Sequence, residues 1–280
     1  MAPVHRKTAR LVFIIVLAVL VLFFLVLHRG GTPEPVYNGK SLTEWLENFS
    51  PDAIRAIGTN GIPTLLNLLR RKDSGLQKRF IMLSEKPALF RFRKYSPFRL
   101  YSADFYRANA GSAFCMLGPV AKDAVPELSE LLNDEDYSIR KHAMLAMSGI
   151  GTEMVVLPYT HALTNDSREV RSMAAAQLGW GAQTAKKKAA KAIASPSTES
   201  AEPWKCYLMN SKTIVSSLVA ALKDPDPDVR EGAIYSLGRI GLEPELALPA
   251  LSAELQDKDA KMRKAAARAL KGFGDDASWQ

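Results

Sequence analysis

The side chains able to do chemistry are few in this chain and do not converge. Of its four histidines, His5 and His28 flank an apolar run, and only His142 and His161 lie downstream, each followed by Ala. A metal centre needs several His, Cys, Asp or Glu ligands at turn-like spacing, and no such run occurs. Cys115 and Cys206 make neither a disulfide framework nor a ligand pair. There is no nucleophile elbow and no phosphate-binding Gly loop. Catalytic, metal and cofactor residues are therefore predicted as none, and binding is the chemistry that remains. Its most conspicuous candidate is residues 78–107, where Lys and Arg alternate with Phe and Tyr and only Glu85 and Asp104 oppose them. Three readings stay open there. The aromatics can pack on the fold with the cations solvated. Arg91, Arg93, Lys94 and Arg99 can meet anionic lipid headgroups. Bases can stack on the aromatics with phosphates on the cations.

The elements that must position such residues are legible from an internal repeat. An aliphatic or aromatic residue followed by Arg, with Gly eleven positions after that Arg, recurs as Arg107 with Gly118, Arg140 with Gly151, Arg230 with Gly241 and Arg263 with Gly274. Arg171 is in phase, with Ala182 where Gly would be. The Arg residues lie 33, 31, 59 and 33 positions apart. Pro126, Pro158 and Pro249 follow their Arg by 19, 18 and 19 residues, and Asp134, Asp166 and Asp257 follow those Pro by eight. Fixed-period similarity marks a stacked solenoid, since one helix pair cannot bury its own apolar face. Positions three, four and seven after each Arg are small or apolar, as in Ala143, Met144 and Met147, or Ala266, Ala267 and Leu270. That spacing is one helical stripe.

Starts and stops agree. In Asp226-Pro227-Asp228, the first Asp suits an N-cap, Pro the first turn, and the second Asp the positive end of the macrodipole. Asp136, Ser167 and Asp259 hold the same offset. The Gly residues fit C-terminal caps, and the Pro residues open a second helix.

The stretches Asp226-Pro227-Asp228-Val229-Arg230-Glu231-Gly232-Ala233 and Ser236-Leu237-Gly238-Arg239-Ile240-Gly241 resemble HEAT repeats of the bilin-lyase-like subtype. The resemblance covers most of residues 105–274, with a weaker unit near 45–72 in which Glu47 replaces the Arg while Gly58 and Pro63 remain. It implies an all-α solenoid whose loop Asp and following Arg tie successive units together. Those pairs are Asp134 with Arg140, Asp224 with Arg230 and Asp257 with Arg263; Asp166 lies one residue too close to Arg171. The His-Glu pairs by which HEAT-repeat deoxyhypusine hydroxylases hold iron are absent. The subtype keeps open a chaperone-like lyase cradling a bilin, and a HEAT-like nucleic-acid binder is the other alternative.

Residues 11–27 are seventeen consecutive apolar residues. At about 1.5 Å per residue they span roughly 26 Å, the short end of what crosses a bilayer core, with Arg10 and Arg29 able to snorkel. A cleaved signal peptide competes, yet the exit Val26-Leu27-His28-Arg29-Gly30-Gly31 has no small-x-small site. The expectation is a single transmembrane signal-anchor. Arg6, Lys7 and Arg10 against Arg29 and Lys40 place the N-terminus in the cytoplasm and the C-terminal domain outside it, periplasmic if bacterial. Such a topology argues against nucleic acid.

The predicted organisation is a basic tail over 1–10, the anchor over 11–27, a linker over 28–41, a capping unit over 42–72, a basic-aromatic insertion over 73–104, a solenoid over 105–274 and a tail over 275–280. Ser41 with Glu44 forms a capping box ahead of Trp45, read as the apolar plug of the first unit. The 59-residue slot is read as one unit with an insertion over 183–211, its lysines solvated and its second helix resuming at Ile214. The predicted function is a membrane-anchored scaffold binding another protein, with no cofactor. Second helices commonly line the concave face of a solenoid, so Glu127, Glu130, His161 and Glu254 are the expected partner contacts. His161 reads as equivalent to Ser129 and Ser252.

Overall fold

A computed structural model describes residues 33–84, 101–151, 153–194 and 208–273. The predicted anchor, Arg91, Arg93, Lys94, Arg99, Cys206 and Gly274 lie outside the described residues. Among those described, no helix is long and apolar enough to cross a membrane.

The first described element lies within the linker expected over 28–41 and is not irregular. Strands β1 (Val36–Tyr37) and β2 (Lys40–Ser41) form an antiparallel hairpin. Asn38 and Gly39 turn it with φ of 48° and 74°, the primed geometry that matches strand twist. The hairpin grips helix α1 (Leu42–Glu47). Trp45 Nε1 donates to the Tyr37 carbonyl at 2.9 Å, and Lys40 lies 4.8 Å over the indole. The capping box forms, with the Glu44 amide donating to Ser41 Oγ at 3.3 Å and the Ser41 amide to Glu44 Oε2 at 2.8 Å.

Helical hairpins follow. The first pairs α2 (Pro51–Ile57) with α3 (Ile62–Arg70), after which α4 (Gly75–Ser84) enters the interruption. Next come α5 (Ala103–Leu117) with α6 (Val125–Glu130), and α7 (Tyr137–Ile150) with α8 (Val156–Ala162). Then α9 (Arg168–Ala194) pairs with α10 (Ser211–Ala221), and α11 (Pro227–Ile240) with α12 (Pro244–Ala253). Helix α13 (Ala260–Lys271) follows. Asp136, Asp226 and Asp259 each accept the amide two residues on, as N-caps do.

Gly58, Gly118, Gly151 and Gly241 end their helices with φ between 56° and 61°, where a Cβ is strained. Ala182 occupies that place in α9 and lies 1% exposed inside a helix that runs 27 residues. With no left-handed residue to stop it, the helix continues into the segment read as insertion. Lys186, expected to be solvated, donates to the Ile240 carbonyl at 3.2 Å, a cation at the negative end of α11.

The predicted stripes form the core in three units, where Ala143, Met147, Ala174, Leu178, Ala233 and Leu237 are each fully buried; in α13 the expected Ala267 is exposed and Leu270 only partly buried. In α13 only one side is covered. Met262, Ala265, Ala266 and Ala269 face the stack, while Arg263, Lys264, Ala267, Arg268 and Lys271 are exposed.

Candidate interaction surface

The geometry between units starts from the Arg of each first helix. Arg140 Nη1 donates to the carbonyls of Asp134 and Glu135 at 2.8 and 3.0 Å, and Arg230 and Arg263 do the same to the residues six and five positions before them. The Asp carboxylates face elsewhere. Each accepts the amide two residues on, which tightens the loop. What crosses between units is a cation of the preceding one. Arg171 grips Asp224 through Nε at 2.7 Å and Nη2 at 3.1 Å, with side chains 15% and 8% exposed. Arg107 meets Asp136 at 2.9 Å, and Lys72 meets Asp134 at 3.4 Å. Asp134 and Asp224 are thus each tied by carboxylate to the unit before and by carbonyl to their own Arg. Burial raises the Asp224 pKa, but the Arg171 fork and the Asp226 amide outweigh it and hold the carboxyl below its ordinary range.

In the unit of Arg171 the loop position belongs to Asn165, not Asp166. Arg171 Nη1 donates to the Asn165 carbonyl at 2.9 Å, and Asn165 Oδ1 accepts the Ser167 amide at 2.9 Å. The missing residue was therefore a register shift hidden by Asp166. Asn165 carries no charge; the Nε atoms of both Arg140 and Arg230 are buried without a partner, so that feature is not peculiar to the unit of Asn165.

Glu47, standing where the first unit lacks its Arg, accepts the Tyr106 hydroxyl at 2.9 Å. Burial, and then this carboxylate, push the Tyr106 pKa far above its ordinary value.

That register re-sorts the second helices. Leu65, Leu128, Tyr159, Leu218 and Leu251 all lie six residues before the loop position, and all are essentially inaccessible. Two residues later come Asn67, Glu130, His161, Ala220 and Ala253, every one exposed. His161 therefore matches Glu130, not Ser129. Four residues before these stand Pro63, Pro126, Leu157, Ser216 and Pro249, also exposed. The row is continuous across neighbours: Arg70 of α3 donates to Glu127 of α6 at 2.8 Å, and Asn165 to Asn133 at 2.8 Å.

Three of the four expected contact residues, Glu127, Glu130 and His161, are exposed here. Glu254 is not brought with them. It falls at the start of a 3-10 turn, half-buried, where burial and then repulsion from Asp257 raise its pKa. Sequence reasoning missed Leu157, which is 59% exposed one turn before His161. A large aliphatic residue where other units carry Pro or Ser was the available signal.

His142 also went unassigned. Its ring is 5% exposed, with Nδ1 at 2.8 Å from the Ser138 carbonyl and 3.2 Å from Ser138 Oγ. A carbonyl only accepts, so Nδ1 carries the proton, and the Ser138 hydroxyl donates to Asp104. A base-activated serine needs the opposite polarity. Among the described residues no group of His, Cys, Asp or Glu is placed to hold a metal ion.

A sequence model for HEAT repeats matches residues 105–179 and 181–271. The chain belongs to the HEAT-repeat family. The two matches adjoin at Trp180, inside helix α9. Among solved structures, the complex of CpcE and CpcF of phycocyanin lyase from Nostoc sp. PCC7120 is similar at a TM-score of 0.46 and 19% identity, over 75% of this chain and 97% of that one. A designed armadillo repeat protein in complex with peptide (KR)4 is similar at a TM-score of 0.43 and 20% identity, over 83% and 92%. A search of curated proteins finds no match.

Proposed function

We propose that this HEAT-repeat chain is a membrane-tethered scaffold whose second-helix row holds another protein. The observation that carries the reading is the phase of that row. One exposed position per unit recurs beside one inaccessible anchor per unit, so a partner meets Glu130, His161 and Leu157 at fixed spacing on a rigid base. Repeats of this kind spread recognition over many contacts of modest strength. The row mixes carboxylates, an imidazole and apolar Pro, Leu and Ala, which suits a protein surface better than a phosphate backbone.

The tether rests on residues 11–27, apolar throughout. Placing Arg at Val19 costs about 2.5–3.5 kcal/mol at a helix centre. The full chain is expected in the carbonate-washed membrane fraction, and the Val19→Arg chain is expected to be retained there less completely. A reporter fused at the C-terminus is expected to be active outside the cytoplasm. Full chain found soluble, or a reporter active only in the cytoplasm, would remove the tether or its orientation.

A further inference from the structure

The second half of α9 carries a feature that the second-helix row does not use. Trp180 is 57% exposed, although Trp is the side chain that gains most from burial. Its orientation is fixed. The Arg239 guanidinium of α11 lies 5.1 Å from the ring centroid, and Arg239 Nη2 donates to Gln183 Oε1, itself 4% exposed. The Arg239 Nε is buried without a partner. An aromatic plate stacked on a pinned guanidinium, with one face open, has the composition of a binding hot spot.

The surroundings select the partner's charge. Ala176, Trp180, Lys187 and Lys191 are exposed at 0, 4, 11 and 15 positions along α9, one stripe on one side. It runs about 22 Å at 1.5 Å per residue, four helical turns. No Asp or Glu occurs in α7, in α9 beyond Glu169 or in α11 beyond Glu231. Cations therefore border the indole with no carboxylate of these helices to neutralise them. The stripe exists because Ala182 stands where other units stop with Gly, so its extra turns are peculiar to this unit.

We propose that the exposed stripe of α9 from Ala176 to Lys191 docks an acidic amphipathic helix of another protein, with Trp180 as the apolar anchor and Arg239, Lys187 and Lys191 facing its carboxylates. One large apolar residue on a line of lysines offers too little apolar area to enter a bilayer, whereas it matches a helix bearing one apolar seam flanked by Glu.

The test uses the full chain in phosphatidylcholine nanodiscs and a fluorescent helical peptide of about 16 residues, built from Leu, Ala and Glu, with a Lys-for-Glu peptide as control. The acidic peptide is expected to bind, to weaken in high salt, and to lose about tenfold in affinity in Trp180→Ala and in Lys187→Glu/Lys191→Glu, both surface changes that leave the circular dichroism unchanged. Glu127→Lys/Glu130→Lys is expected to leave this binding intact, which separates the site from the second-helix row. Equal binding of the two peptides, or unchanged affinity in Trp180→Ala, would overturn the proposal. So would Trp180-dependent capture by phosphatidylglycerol vesicles with no binding of the acidic peptide.

Discussion

Replacing Asp224 by Ala is expected to destabilise the full chain by about 3–5 kcal/mol, the usual cost of removing one partner of a buried ion pair. Asp224 is the point at which two units are joined. Its carboxylate takes both the Nε and Nη2 bonds of Arg171 and also accepts the Asp226 amide. Truncation leaves the Arg171 charge, 15% exposed, with only the carbonyls of Asn165 and Asp166. The same pair sets a pH dependence. The folded pKa of Asp224 lies below its ordinary 3.8, so the stabilisation is complete above the unfolded value and is lost as pH falls through the folded one. Denaturant unfolding of wild type and Asp224→Ala in detergent is therefore expected to show a gap at neutral pH that narrows below the ordinary carboxylate pKa. A gap that stays unchanged well below the ordinary carboxylate pKa, in the range where Asp224 is protonated in the fold, would mean that the carboxylate charge is not what joins the units.

Gly179→Val is expected to cost about 3 kcal/mol or more by overpacking. A Cβ at Gly179 would stand 2.3 Å from Ser236 Oγ and 2.8 Å from Ser236 Cα, so α9 and α11 must separate to admit it. Ser236 cannot swing aside, because it is 3% exposed and its hydroxyl donates to the Ala175 carbonyl at 2.7 Å. Separation would open the seam lined by Ala175 and Gly232. Gly179→Ala paired with Ser236→Gly is the informative cycle. Removing the Ser236 side chain relieves the Oγ clash but leaves the α11 backbone in the way, so partial rescue is expected. Thermal unfolding of the four chains reads this out. Gly179→Val unfolding within a few tenths of a kcal/mol of wild type would contradict the packing described here. Gly149 makes the same close approach to Cys115, between α5 and α7, at 2.4 Å from its Cα.

What could be read in the sequence follows from which interactions are local. Caps, Pro positions and the apolar stripe are set within one helix, and Asp226, Gly241 and Leu237 stand where their spacing puts them. The ladder's partners are not local: spacing groups Asp224 with Arg230, yet Arg230 uses the Asp224 carbonyl while the carboxylate serves Arg171 of the preceding unit. The one-residue slip at Asn165 was invisible because Asp166 imitates the loop residue, and it displaced the assignment of His161. The hairpin at Val36–Ser41 was passed over because two-residue strands show no alternation; Asn38-Gly39 was its only signal. Gly179 and Gly149 were unreadable for another reason, since what excludes a side chain there lies on a neighbouring helix far along the chain. Of the candidate surface, residue type and helix were legible for Glu127 and Glu130. The exposure of Leu157 and Trp180 depends on what the fold leaves uncovered, which no local pattern encodes.

The scaffold reading is tested most directly by photocrosslinking in intact membranes, with a benzophenone side chain at Glu130, at His161 and, as a control off the second-helix row, at Lys122, which is exposed in the turn before α6. Positions 130 and 161 are expected to capture the same protein, and position 122 is expected to leave it free. Capture from all three positions alike, or from neither 130 nor 161, would contradict a partner seated on the second-helix row.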